Sequence, residues 1–190
     1  MKRTSIHRAT ILVGIAALML GGLTASVATA RAGETCDTLP ATIVGTQAGE
    51  TINGTSGDDV IVGLGGDDVI RGLDGMDVIC AGAGNDVVRG GAGFQNVLNG
   101  GAGNDVIYGG PGEDIVEAGR GNDVVFAGRD GDSVSGGSGN DVLFGGPGGD
   151  LLAGGGGNDI LLGGAGFDDA AGGTGIDTCR STEHPQGCNR

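Results

Sequence analysis

The chain has 190 residues, with 46 Gly, 4 Cys and no Trp, and its 24 acidic and 10 basic side chains give a formal charge of −14. Glycine costs about 0.5–1 kcal/mol relative to alanine inside a regular element, so this composition excludes an ordinary helical bundle or α/β enzyme; a collagen helix, with Gly at every third position and abundant Pro, is excluded as well. The acidic balance excludes a nucleic-acid partner, whose phosphates call for Lys and Arg.

In chain order, Lys2, Arg3 and Arg8 precede an apolar stretch from Ala9 to Leu23, and small residues then lead to Ala30-Arg31-Ala32. Basic, apolar and small-residue regions in that order predict a secretory signal peptide over 1–32 with an A-x-A-like cleavage site. Its apolar run is shorter than the ~20 residues that span a bilayer. The expectation is a secreted, extracellular protein with no stable membrane insertion after cleavage. Removing 1–32 takes away Lys2, Arg3, Arg8 and Arg31 and no acid, so 6 bases face 24 acids, a net of −18. A compact body so charged repels itself unless cations compensate.

Residues 33–44 read as an N-terminal cap. From 45 to 180 the sequence repeats every nine residues: GGAGNDVIY at 100–108 returns as GGPGEDIVE at 109–117 and AGRGNDVVF at 118–126. One unit, 90–99, has ten residues, with an insertion around Phe94 and Gln95. The sixth position is Asp at Asp59, Asp68, Asp77, Asp86, Asp105, Asp114, Asp123, Asp132, Asp141, Asp150, Asp159, Asp168 and Asp177, with Glu50 and Asn96 as substitutes. The eighth position is aliphatic from Ile52 and Ile61 through Leu152 and Leu161, and the series closes on Ala170 and Cys179.

Each unit divides in two. The Gly-rich half suits tight turns that need positive φ, and the D-x-U-x half, rich in Val and Ile, suits a short strand. Side chains alternate between faces, so the eighth position faces inward. Two units close a rung, and equivalent residues stack every eighteen positions at about 4.8 Å. The acids then form two rows, one through Asp68, Asp86 and Asp105, the other through Asp59, Asp77, Asn96 and Asp114. Carboxylates ~5 Å apart repel by about 3 kcal/mol at an effective dielectric of 20; a hard divalent ion with six to eight oxygen ligands reverses that sign.

The GGxGxDxUx pattern resembles the RTX (hemolysin-type) calcium-binding nonapeptide. The resemblance implies an all-β fold, a right-handed parallel β-roll, with several Ca²⁺ ions held between turns of successive rungs by the sixth-position aspartates and turn carbonyls. The thirteen aspartates named above are the candidate metal ligands. Asp130 stands where the repeat has Gly in 127–135, which sets the Asp132 turn apart. Asp58, Asp67, Asp74, Glu113 and Glu117, at other positions, are expected to be solvated.

Two departures from the family stand out. Many relatives are exported through a C-terminal signal, whereas this chain carries its signal at the N-terminus. The family is also Cys-poor, and the four Cys here suggest two disulfides. Connectivity is not readable from sequence; pairing Cys36 with Cys80 and Cys179 with Cys188 would staple the two ends, where solenoids fray. No catalytic motif is present, and His184 is the single His after residue 32, so no enzyme activity is expected. The C-terminal tail, 181–190, is polar. Asn85, Asn104, Asn122, Asn140 and Asn158 precede the Asp of one row and stack on one edge, which raises an alternative: an ice- or glycan-binding edge, as in adhesin-type modules.

Overall fold

The computed structural model describes residues 35–36, 38–180, 182 and 184–188; the signal peptide expected over 1–32 lies outside the described residues. Every regular element among them is a strand. Consecutive strands alternate between two parallel sheets, one of eight strands and one of nine, so the chain winds as a parallel β-roll. A short antiparallel pair, Thr35–Cys36 with Leu39–Pro40, precedes the roll. Parallel pairing begins at Ile43–Val44, which joins Val60–Val62.

The register is the eighteen-residue stack. Val106, Ile107 and Tyr108 pair with Val124, Val125 and Phe126. Across the ten-residue unit the step becomes nineteen, Val78 pairing with Val97, and pairing resumes unbroken on the far side. At the C-terminal end His184–Gln186 adds a last strand, with His184 opposite Asp169.

Strands are longer than the D-x-U-x pattern predicts. Val106–Pro111 is typical: six residues that run through Gly109-Gly110 into the next unit. Gly110 has φ 122°, which lets the strand turn its outward face while still pairing with Gly128. The first-position residue has no cross-strand Cα partner on either side, so the ladder carries a local offset at each Gly-Gly step.

The core is one stripe between the sheets. Ile61, Ile70, Ile79, Ile107, Leu143, Leu152 and Leu161 are fully buried there. Ala81, Ala118 and Ala127, at the first position of their units, are also fully buried. Disulfides Cys36–Cys80 and Cys179–Cys188, with Cα–Cα distances of 5.7 and 5.8 Å, tie down the two ends.

The ninth position of the eight-stranded sheet faces outward and forms one in-register row. It runs from Arg71 and Arg89 to Tyr108, Phe126 and Phe144, then to Leu162 and Arg180. The three aromatic rings stack with centroids 5.1 and 4.8 Å apart and planes within 8°.

Candidate metal centre

The tight turn between strands places the sixth-position aspartates where the chain passes from one sheet to the other. Their backbone extends the parallel ladder: the N–H of Val124 donates to the carbonyl of Asp105 at 2.9 Å, and that of Val142 to Asp123 at 2.9 Å. Held this way, each side chain turns inward. Asp59 is 6% exposed and the other sixth-position aspartates 2% or less.

Each carboxylate then receives a bond from the preceding rung. The N–H of Asp68 donates to Oδ1 of Asp86 at 2.8 Å, that of Asp86 to Asp105 at 2.8 Å, and the series continues through Asp123, Asp141, Asp159 and Asp177. The second row runs likewise from Asp59 through Asp77, Asn96, Asp114, Asp132 and Asp150 to Asp168, at 2.8–3.1 Å. The insertion changes the spacing from eighteen to nineteen in both rows together.

The second oxygen has no such use. Oδ2 of Asp68, Asp77, Asp86, Asp105, Asp114, Asp123, Asp132, Asp141, Asp150, Asp159 and Asp177 is buried without a hydrogen-bond partner. A buried polar atom left unpaired costs about 1–3 kcal/mol, more when charged. Beside it lies a carbonyl: a Cβ added to Gly72 would sit 2.1 Å from Oδ2 of Asp77 and 2.3 Å from the carbonyl oxygen of Gly90 in the next rung. At Gly145 the same space meets Oδ2 of Asp150 at 2.3 Å and the Gly163 carbonyl at 2.6 Å. Carboxylate and carbonyl oxygens therefore face one small space beside a glycine Cα, where a side chain would otherwise begin.

Burial governs the titration. Desolvation pushes Asp105 and Asp132 up to about 7, and Asp68, Asp77, Asp114 and Asp141 up to about 6, against the downward pull of the N–H bond on Oδ1. The same burial raises Asp86, Asp123, Asp150 and Asp159. At neutral pH these groups are held in surroundings that disfavour a bare negative charge.

The donor set fits a hard cation. Except at Asn96, whose amide Nδ2 stands where its neighbours have Oδ2, the available groups are oxygens, and no thiolate or imidazole shares the space. Among the described residues no three acidic, His or Cys side chains converge on one point. An ion here would take its carboxylates from stacked turns and complete its shell with backbone carbonyls.

Not every aspartate in the rows is alike. Asp59 has both oxygens engaged: Oδ1 accepts from the Thr42 hydroxyl at 3.3 Å, and Oδ2 from the Thr55 N–H at 2.6 Å and its hydroxyl at 3.0 Å. Glu50, the first acid of its row, accepts the N–H of Thr46. Asp168 takes its place in the second row through the N–H of Asp150. Asp132 keeps the geometry of its neighbours, since Asp130 itself adopts φ 73° and directs Oδ2 to the N–H of Gly112, 3.3 Å away. Sequence reasoning missed the first-position residues that flank Oδ2; the alanines at 81, 118 and 127, set among glycines, were the signal that this position faces inward.

The asparagine edge is engaged in turn closure. Oδ1 of Asn104 accepts the N–H of Asn122 at 2.7 Å, and Asn122 does the same for Asn140 at 2.8 Å. The ladder starts at Asp67, which accepts from Asn85, and ends at Ile176, which donates to Asn158. His184 is exposed, its Nδ1 2.7 Å from Oδ1 of Asp169.

The RTX calcium-binding nonapeptide repeat model matches residues 44–79, 71–93, 94–125, 117–152, 126–161 and 144–179. A search of the curated proteins returned no match. With the described roll matched from end to end, two sheets in eighteen-residue register and an aspartate in nearly every turn, the chain belongs to the RTX calcium-binding nonapeptide repeat family.

Proposed function

We propose that this protein is exported, binds several calcium ions between successive turns, and folds as it binds them, serving outside the cell as a structural, adhesive or calcium-buffering element. The observation that carries the reading is the series of buried Oδ2 atoms without hydrogen-bond partners. A carboxylate oxygen kept from water and from every donor is matched by a cation. The ligands are the sixth-position aspartates with neighbouring turn carbonyls; Asp59, already bonded by two threonines, contributes least.

Folding follows from the thin core. One stripe of aliphatics must offset the cost of ordering a Gly-rich chain, about 1–2 kcal/mol per residue. Metal binding supplies the balance where a preformed site does not exist in the unfolded chain. Affinities near ~10⁻⁴–10⁻³ M suit an extracellular module. The signal-like N-terminus and the two disulfides support export. The test is circular dichroism in EGTA followed by millimolar Ca²⁺, with calorimetric titration. A disordered chain that gains β-structure with saturable calcium uptake is the expected result; an unchanged spectrum and no uptake overturn the reading.

A further inference from the structure

On a chain of net charge −14, the seventh- and ninth-position rows of the eight-stranded sheet carry cations and no acid. The outward residues of the eight-stranded sheet at the seventh position are uncharged, Val69, Val87, Val106, Val124 and Val142 among them. The ninth-position row alongside holds Arg71, Arg89 and Arg180, and none of the three makes an ion pair among the described residues. Arg71 and Arg89 are register neighbours. Arg71 donates to Oδ1 of Asn53 at 3.3 Å, and the guanidinium of Arg89 lies 5.1 Å from the centroid of the Tyr108 ring. Together they line a groove of about 420 Å³ with Thr55, Ser56, Leu73 and Asp74. Asp74 is the one acid among the described residues that line it.

We propose that this face binds an acidic polysaccharide, with Arg71 and Arg89 taking its sulfate or carboxylate groups. Guanidinium forks bind such oxyanions in bidentate fashion, and the two here are already oriented, one by an amide and one by a ring. Phe126 and Phe144 continue the stack from Tyr108, so the ring faces cover one another and their edges point outward. Aromatic edges are electropositive. The whole strip, about 29 Å from Arg71 to Arg180 at ~4.8 Å per strand, therefore favours oxygen-rich, negatively charged matter. Along the rings the strip repeats the same stacked contact from rung to rung, which suits a repeating polymer better than a protein epitope. A second copy of the chain is disfavoured: laid antiparallel on this face, it would set Arg180 against Arg71 and Arg89. The Asn edge, whose side-chain oxygens are spent on turn N–H groups, is a different surface.

The inference rests on the calcium-loaded roll being the folded form, so the test keeps Ca²⁺ present and monitors calcium uptake separately. Tyr108 is the only Tyr and the chain has no Trp, so its fluorescence reports on this face alone. Heparin is the probe, with uncharged dextran and polyglutamate as comparisons. The expected result is a saturable Tyr108 change with heparin, none with dextran and a weaker one with polyglutamate. Arg71→Gln with Arg89→Gln is expected to weaken heparin binding about tenfold or more. Arg120→Glu, an equal change in net charge on the other sheet, is expected to alter it less than about twofold. Equal losses in the two variants, polyglutamate binding as tight as heparin, or no heparin response from a chain with normal calcium uptake would each overturn the inference, the last without touching the calcium reading. Failure of calcium uptake bears on the calcium reading instead, and the wild-type Tyr108 response to heparin still decides this one.

Discussion

The backbone N–H of Asp105 donates to Oδ1 of Asp123 across 2.8 Å, and both side chains are buried. One oxygen of Asp123 thus holds a rung together while Oδ2 has no partner. The two oxygens can be tested apart. Asp123→Asn keeps Oδ1 as an acceptor, as Asn96 does for the N–H of Asp77 at 3.1 Å; it should leave the calcium-bound roll intact while lowering calcium uptake. Asp123→Ala removes both oxygens and strands the Asp105 N–H, adding about 1–3 kcal/mol of destabilisation. Titration calorimetry and thermal melting of the pair separate the roles; identical calcium uptake in Asp123→Asn and wild type would remove Oδ2 of Asp123 from the ligand set.

Acid should favour the metal-free roll. Burial raises Asp105 and Asp132 to about 7 and Asp68 and Asp141 to about 6, from an ordinary 3.8. Between those values the folded chain binds more protons than the unfolded one, so stability falls as pH rises. The contribution is fully present below 3.8 and is lost as pH passes through 6 to 7. Calcium acts in the opposite sense, because its ligands must be deprotonated. Dichroism in EGTA should gain β-signal from pH 7.5 down to about 4.5, while the calcium concentration at half-folding rises over the same range. Metal-free chains indifferent to pH would show that the carboxylates are not buried in that state.

Much of this was legible because the phase of nine is strict. Ile107 is buried as its place in the unit predicts, and the disulfides fall on the pairing that staples the ends. What escaped was carried by the backbone or by a longer period. Gly110 gives no side-chain sign that a strand continues through it; its pairing with Gly128, made at a φ of 122°, shows that. The stack of Tyr108, Phe126 and Phe144 is hidden at a spacing of nine, where Glu117 and Ser135 intervene on the other sheet. The division of labour between Oδ1 and Oδ2 depends on which N–H each turn presents, and composition does not encode that.

Glycine positions should differ sharply in tolerance. A Cβ on Gly121, at φ 135°, would fall 1.8 Å from the carbonyl oxygen of Gly103. On Gly57 it would meet nothing nearer than the Thr55 hydroxyl at 3.9 Å. Gly121→Ala should cost about 3 kcal/mol or more, and Gly57→Ala should stay within about 0.5 kcal/mol. Calcium-loaded melting curves give both values; equal shifts would mean the turns relax more freely than their packing indicates.

The two disulfides should protect opposite ends to different degrees. Cys36–Cys80 closes a sequence separation of 44 and Cys179–Cys188 one of 9. Chain entropy assigns about 4 and about 2.6 kcal/mol respectively. Cys36→Ser with Cys80→Ser should therefore lower the melting temperature more, and hydrogen exchange should rise first around Ile43 and Ile61. Replacement of Cys179 and Cys188 should speed exchange around Ala170 and leave Ile61 protected. Uniform exchange in both variants would indicate a roll that opens as one unit.

Asn96 offers the reciprocal test of the charge in these rows. Its Oδ1 accepts from Asp77 and its N–H donates to Asp114 at 2.8 Å, so the hydrogen-bonded row passes through it unbroken while the charge does not. Asn96→Asp adds one buried carboxylate between two others. In EGTA the added repulsion should destabilise whatever folded state exists, whereas in calcium the new oxygen completes a further pair of stacked turns and should raise the number of ions bound. Opposite shifts with and without metal are the signature of carboxylates held together by cations. If Asn96→Asp moved stability the same way in both conditions, the second row would be holding its rungs by hydrogen bonds alone.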